Sequence, residues 1–372
     1  MSIVGYATPE GTARYRDRFG DEFAEHHFRF EQNLWLSSVG LGTYLGDWNE
    51  EADRRYEDAV VRAVELGANV IDTAANYRFQ RSERSIGAAL ERLTGDGGFS
   101  REEIVICTKG GYLPFDGEPV RDVRRYVEET FVKPGIIELT DIAAGSHCMT
   151  PGYLRHQVSQ SLRNMRLECI DVYYVHNPET QLQVVSRADF EKRLCEAFVA
   201  LEEERAAGRI RYYGVATWNG FRVEQQERAY HSLERIVELA SVAGGNSHGF
   251  RFIQLPFNLA MPEALVRDNQ TFEGERVSTL EAARELGVTV VASASIMQGK
   301  VARDLPERVR EPLGSLGTDA QTAIQFVRST PGITTALVGM SRREHVEENL
   351  QLTRVPPASA ADYRRLYDAD AE

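Results

Sequence analysis

One event constrains this sequence more than any other: a short apolar run followed by a helical stretch, repeated eight times. VGLGT (39–43) precedes 51–66, NVIDT (69–73) precedes 82–94, and EIVICTK (103–109) precedes a long irregular region and then 151–167. IDVYYVH (170–176) precedes 187–207, IRYYGVA (210–216) precedes 220–243, and FIQLPFN (252–258) precedes 276–286. VTVVASA (288–294) precedes 317–330 and TTALVG (334–339) precedes 342–351. The runs are nearly continuous in apolar residues, as expected of parallel strands buried on both faces. Gly67, Gly208 and Gly287 stand just before a strand, at the left-handed position that ends many helices. Eight such units predict an α/β chain closed into a (β/α)8 TIM barrel. An open doubly wound sheet is the competing architecture. It normally carries a GxGxxG turn after its first strand, and none follows residues 39–43.

The chain has 372 residues, more than the roughly 250 of a typical barrel. FRF (28–30) and LWL (34–36), joined by EQN, predict a hairpin closing the barrel bottom. The expected division is an N-terminal extension over 1–27, a barrel over 28–352 and a C-terminal tail over 353–372. The extension, polar and charged, is expected to be partly disordered or packed on the outside. The stretch 110–150, rich in Gly and Pro, is a long loop after the third strand. It therefore belongs to the face where barrels place their active sites.

A net charge of −13 argues against a nucleic-acid partner. No apolar run approaches the ~20 residues needed to span a bilayer, and the start lacks the apolar stretch of a secretory signal. The cytoplasm is the expected compartment, with no membrane partner. Cys107, Cys148, Cys169 and Cys195 form no metal-ligand pattern, so no metal is expected and free thiols are.

Four polar residues fall at or just beyond successive strand ends: Asp72, Tyr77, Lys109 and His176. Singly, each has an ordinary structural reading, such as a turn cap, a loop aromatic or a solvated charge. Together on one barrel face they form a set able to reduce a carbonyl. Tyr77 is the expected proton donor, with its phenol pKa lowered by the Lys109 ammonium. Asp72 orients Lys109, and His176 donates to the carbonyl oxygen.

These residues resemble the aldo-keto reductase family. IDTAANY (71–77), ICTKGG (106–111) and DVYYVH (171–176) are similar to its Asp/Tyr, Lys and His segments, the last preceded by the similar run SQSLRNMRLEC (159–169). GLGTYLG (40–46) and VGMSRREHVEENL (338–350) resemble its first strand and its C-terminal cofactor segment. The resemblance spans roughly 28–352 and implies the barrel, carbonyl reduction of a small-molecule substrate, and NADPH as cofactor with NADH as the other choice. It implies cofactor contacts at Gly42, Thr43, Thr217, Gln254, Ser295, Ile296, Gly299, Gly339, Ser341, Arg342, His345, Glu348 and Asn349. Three positions depart from the family pattern. Ala216-Thr217 replaces a Ser-Asn pair, Ser293 replaces an aromatic residue, and His345 replaces Arg or Gln. Tyr44, Trp48 and Trp218 are the expected substrate contacts. Two other functions fit the same sequence: an NADPH-binding regulatory subunit with little turnover, and a lyase using Lys109 as a Schiff-base nucleophile.

Overall fold

A computed structural model describes residues 2–368. The chain begins with a helix, Pro9–Arg18, capped by the Thr8 hydroxyl accepting from the Gly11 amide. An antiparallel hairpin follows, β1 (Phe28–Glu31) and β2 (Leu34–Ser37), as the two aromatic-rich runs predict. Then come β3 (Val39–Gly42), β4 (Val70–Asp72), β5 (Val105–Gly110), β6 (Ile170–His176), β7 (Ile210–Ala216) and β8 (Phe250–Pro256). A small hairpin, β9 (Gln270–Phe272) and β10 (Glu275–Val277), precedes β11 (Thr289–Ser293) and β12 (Ile333–Gly339). β3 to β8, β11 and β12 pair in parallel and close into one barrel, which confirms the (β/α)8 architecture.

The strands alternate between the barrel interior and the surrounding helices. Leu34 and Leu36 of the bottom hairpin and Ala7 join Val70, Val105, Val172, Phe252, Val291 and Leu337 in the interior cluster. The hairpin is thus a stopper whose apolar side chains complete the lowest layers. The outward side chains form a larger cluster against the helices.

Several expectations need correction. The N-terminal stretch is ordered: Tyr15 is fully buried in the larger cluster, and the Ala7 amide donates to Asp171 Oδ1 at 2.6 Å. Asp171, on β6, also accepts from Arg101 at 2.6 Å, so the carboxylate that holds the Ala7 amide is itself fixed by a buried ion pair. The helix expected over 220–243 is Leu233–Gly244. Residues 219–232 follow the Asn269 side chain instead, whose amide donates to the Phe221 and Val223 carbonyls, and Ser232 caps the shortened helix. The helix expected over 276–286 is Thr279–Glu285, opened by a Ser278/Glu281 capping box after the β9–β10 hairpin. The loop over 110–150 encloses its own apolar cluster of Val127, Phe131, Ile137, Cys148 and Tyr153.

The C-terminal tail forms a helix, Ala360–Asp368, docked through Tyr363, whose hydroxyl lies 2.6 Å from that of Thr330; residues 369–372 of the expected tail, like residue 1 of the extension, lie outside the described residues. Tyr363→Phe removes this hydrogen bond and is expected to cost about 0.5–1.5 kcal/mol, read as a lower urea midpoint at unchanged slope.

Candidate active site

Four of the barrel strands, β4, β5, β6 and β8, carry apolar side chains inward beneath a polar one near the C-terminal end. Inward positions run Val70 to Asp72 on β4, Val105 through Cys107 to Lys109 on β5, and Val172 through Tyr174 to His176 on β6. On β8 they run from Phe252 to Gln254. The register sets Asp72 beside Cys107, Lys109 beside Tyr174, His176 beside Ala216, and Ala216 beside Gln254. The top interior layer is therefore polar where the layers beneath it are not.

Lys109 is 1% exposed. Its ammonium donates to Asp72 Oδ1 at 2.5 Å and to the Thr73 carbonyl at 2.7 Å. The second carboxylate oxygen of Asp72 accepts from Gln254 Nε2 at 2.8 Å. Burial works against the lysine's charge, but the Asp72 carboxylate overcomes it and holds the ammonium above its ordinary pKa. Lys109 Nζ lies 4.9 Å from the centroid of the Tyr77 ring. The Tyr77 ring meets His176 edge-on at 5.9 Å and Tyr44 at 5.0 Å.

The direction of the Tyr77 shift corrects the expectation. Burial raises its pKa, Lys109 pulls it down and Asp72 pushes it back, with a net rise. The phenol therefore stays protonated at neutral pH, the form a proton donor needs. Burial, with Lys109 and His147 close by, holds His176 well below its ordinary value, so its imidazole is neutral.

Tyr77 is fixed by the backbone after it. Arg78, Phe79 and Gln80 have φ of 47°, 57° and 70°. Three consecutive left-handed residues other than glycine are costly, roughly 1–2 kcal/mol each. Side chains hold the turn in place. The guanidinium of Arg78 donates to Asp53 at 2.5 Å and to the Asp47 carbonyl at 2.8 Å, and the Gln80 amide donates to the Phe115 carbonyl at 3.0 Å.

The expected cofactor residues lie toward this rim in three groups. Gly42 and Thr43 end β3, Thr217 and Gln254 lie on or after β7 and β8, and Gly339 ends β12. Ser295, Ile296 and Gly299 sit in the loop after β11, where Ala294, Met297, Gln298 and Gly299 all have positive φ. Ser341, Arg342, His345, Glu348 and Asn349 lie on or beside the helix Arg343–Asn349. The set suits an extended anionic cofactor. Thr217 Oγ1 and Asn349 Oδ1 are buried with no partner among the described residues. No atom lies within 4 Å of where a Cβ would stand on Gly299 or Gly339. Glu348 is engaged elsewhere: its carboxylate accepts from Thr318 at 2.8 Å.

Tyr44, Trp48 and Trp218 are 57%, 50% and 45% exposed, too open for core packing. Tyr44 and Trp48 follow β3, and Trp48 packs edge-on against Phe79. Trp218 follows β7, across the barrel.

Sequence reading missed Tyr112, His147 and Glu179. Tyr112 flanks His176 edge-on at 5.1 Å. Glu179 accepts from the Trp218 and Asn219 amides at 2.8 and 3.0 Å, pinning the loop that bears Thr217. Burial alone would raise the Glu179 carboxyl, but nearby His231 and backbone amides hold it below its ordinary range. Glu179 stands three residues after His176, a spacing that offered a signal. His147 offered none.

The sequence matches the family model for the aldo/keto reductase family over residues 38–371. It is 30% identical over 189 residues to an NADH-specific methylglyoxal reductase of Escherichia coli, spanning 50% of this chain and 49% of that one. It is 22% identical over 339 residues to an uncharacterized oxidoreductase, YqkF, of Bacillus subtilis, 91% of each chain. In structure it is similar to an aldo/keto reductase from Klebsiella pneumoniae in complex with NADP and acetate, with TM-score 0.62, 18% identity, and 93% and 95% of the two chains covered. No helix among the described residues is long and apolar enough to cross a membrane.

Proposed function

The chain belongs to the aldo/keto reductase family, and on that footing we propose that it reduces an aldehyde or ketone to an alcohol, or runs the reverse oxidation, with NADPH as cofactor and NADH as the other choice. The observation that carries this reading is the contact between a buried Lys109–Asp72 pair and the Tyr77 ring, which His176 meets edge-on.

A bound nicotinamide supplies the hydride that reaches the carbonyl carbon. The protein's part is at the oxygen. Tyr77 gives its phenolic proton there, and Lys109 stabilises the phenolate left behind. Asp72 keeps Lys109 charged and fixed, and Gln254 keeps Asp72 from turning. Neutral His176 retains a ring N–H to donate to the substrate oxygen. Gly42, Thr43, Thr217, Ser295, Ile296, Gly299, Gly339, Ser341, Arg342, His345 and Asn349 would hold the dinucleotide. Gln254 would take part through its carbonyl, since its amide is committed to Asp72. The substrate is a small molecule whose apolar body meets Tyr44, Trp48 and Trp218. The cytoplasm suits four cysteines that are all unpaired.

The test is NADPH oxidation across a panel of carbonyls, including a nitrobenzaldehyde, with NADH in parallel. Lack of turnover across the panel would remove the proposal. Arg342 forms no ion pair among the described residues and is exposed at its helix start. If it takes the phosphate that distinguishes the two cofactors, Arg342→Ala should weaken NADPH binding by about 10- to 100-fold, the loss of one charged hydrogen bond. NADH affinity should stay where it is. Equal losses for both cofactors would take Arg342 out of that role.

A further inference from the structure

The long loop after β5 returns to the barrel at a histidine. The ring of His147 is completely buried, and Nε2 lies 2.7 Å from the backbone carbonyl of His176. A carbonyl only accepts, so Nε2 carries the proton. Nδ1 lies 2.9 Å from the Gln181 amide nitrogen, which also approaches the His147 carbonyl at 3.3 Å. The orientation of that amide is itself fixed, because Arg193 only donates and its Nη1 stands 2.6 Å from Gln181 Oε1. A directional chain therefore runs from Arg193 through Gln181 and His147 to the His176 peptide, and it permits one tautomer of His147.

The surroundings are shaped to allow this contact. A Cβ on Gly111 would stand 2.8 Å from His147 Nε2 and 3.0 Å from the His176 oxygen, so a side chain there would separate them. Burial drives the His147 pKa down to about 4, which keeps Nδ1 free to accept. Tyr112 meets both imidazoles edge-on, at 5.2 Å and 5.1 Å. Beyond His176 the chain turns left-handed at Asn177 (φ 45°), whose amide donates to the Ala216 carbonyl at 2.6 Å.

We propose that His147 is a positioning residue for carbonyl reduction: its Nε2–H fixes the His176 peptide, and through it the imidazole beside Tyr77. This rests on the reductase reading above. It makes the loop over 110–150 part of the catalytic apparatus as well as a wall of the pocket.

The test compares two variants of nearly equal size. His147→Gln places an amide N–H where Nε2 stood; His147→Met places none. His147→Met is expected to lower kcat on the order of 10- to 100-fold, the effect of a small misplacement of a reacting group. KM and NADPH affinity should hold, and His147→Gln should recover most of the turnover. Full activity in His147→Met, or equal impairment of both variants, overturns the proposal. Should His147→Met not fold, nitrogen NMR of wild-type histidines decides: an Nε2–H tautomer at His147 is required, and an Nδ1–H tautomer overturns the proposal. A wild type that reduces no carbonyl removes the reductase reading and this inference together. An active wild type with an unimpaired His147→Met removes this inference alone.

Discussion

Tyr77→Phe should lower turnover by roughly 10²- to 10⁴-fold, the usual contribution of a positioned acid. The reason is how little else changes. The ring keeps its edge contacts to Tyr44 and His176 and its face toward Lys109, so the variant loses one hydroxyl and little packing. NADPH affinity, read from the quenching of protein fluorescence, should match the wild type. The loss should appear in kcat and kcat/KM alike, as for an interaction made in the transition state. Single-turnover hydride transfer is the decisive measurement. A variant transferring hydride at the wild-type rate would end the case for Tyr77 as the acid, whatever the steady state shows.

The second large effect is on stability and activity together. Lys109→Met leaves the Asp72 carboxylate buried, with Gln254 as its remaining side-chain partner. Stranding one member of a buried ion pair costs about 3–5 kcal/mol. Denaturant unfolding should show that loss, and turnover should fall with it because the phenolate goes unsupported. Adding Asp72→Asn to Lys109→Met separates the two roles. The double variant has no stranded charge and should regain much of the stability, yet stay inactive. A double variant no more stable than Lys109→Met would show that the charge is not what the fold misses. Recovered turnover would show that Lys109 is not needed at the oxygen.

How much of this was legible in the sequence depends on the physics behind each signal. Parallel strands buried on both faces write themselves as apolar runs, so all eight barrel strands could be read. A polar residue ending such a run has few places to go except the barrel mouth, which is why Asp72, Lys109 and His176 could be placed. Other features leave weaker traces. Residues 220–232 have helical composition, but tertiary hydrogen bonds from Asn269 outweigh that preference. The three-residue strands β9 and β10 are too short to show a period. Tyr15 docks the N-terminal segment against the outer cluster from within a charged stretch, so local composition left disorder open while one aromatic decided for packing. His147 lies 29 residues before the carbonyl it bonds, and that loop has no repeating pattern. The rise in the Tyr77 pKa was hidden for another reason. The sequence names a lysine neighbour but does not say how dry their shared pocket is.

The stopper at the barrel bottom has a consequence for the traffic of protons. Below the polar layer the interior is filled with side chains, and Leu34 and Leu36 close its lower end. A phenolate formed at Tyr77 in the proposed reaction would therefore have no refill route from beneath among the described residues. The same opening that admits reactants is its supply line to solvent, and whatever covers that opening cuts the line. With Tyr77 as the proposed acid, its recharging would then belong to the half of the cycle in which product departs, and it would act as a single-shot donor that reloads each time the mouth clears.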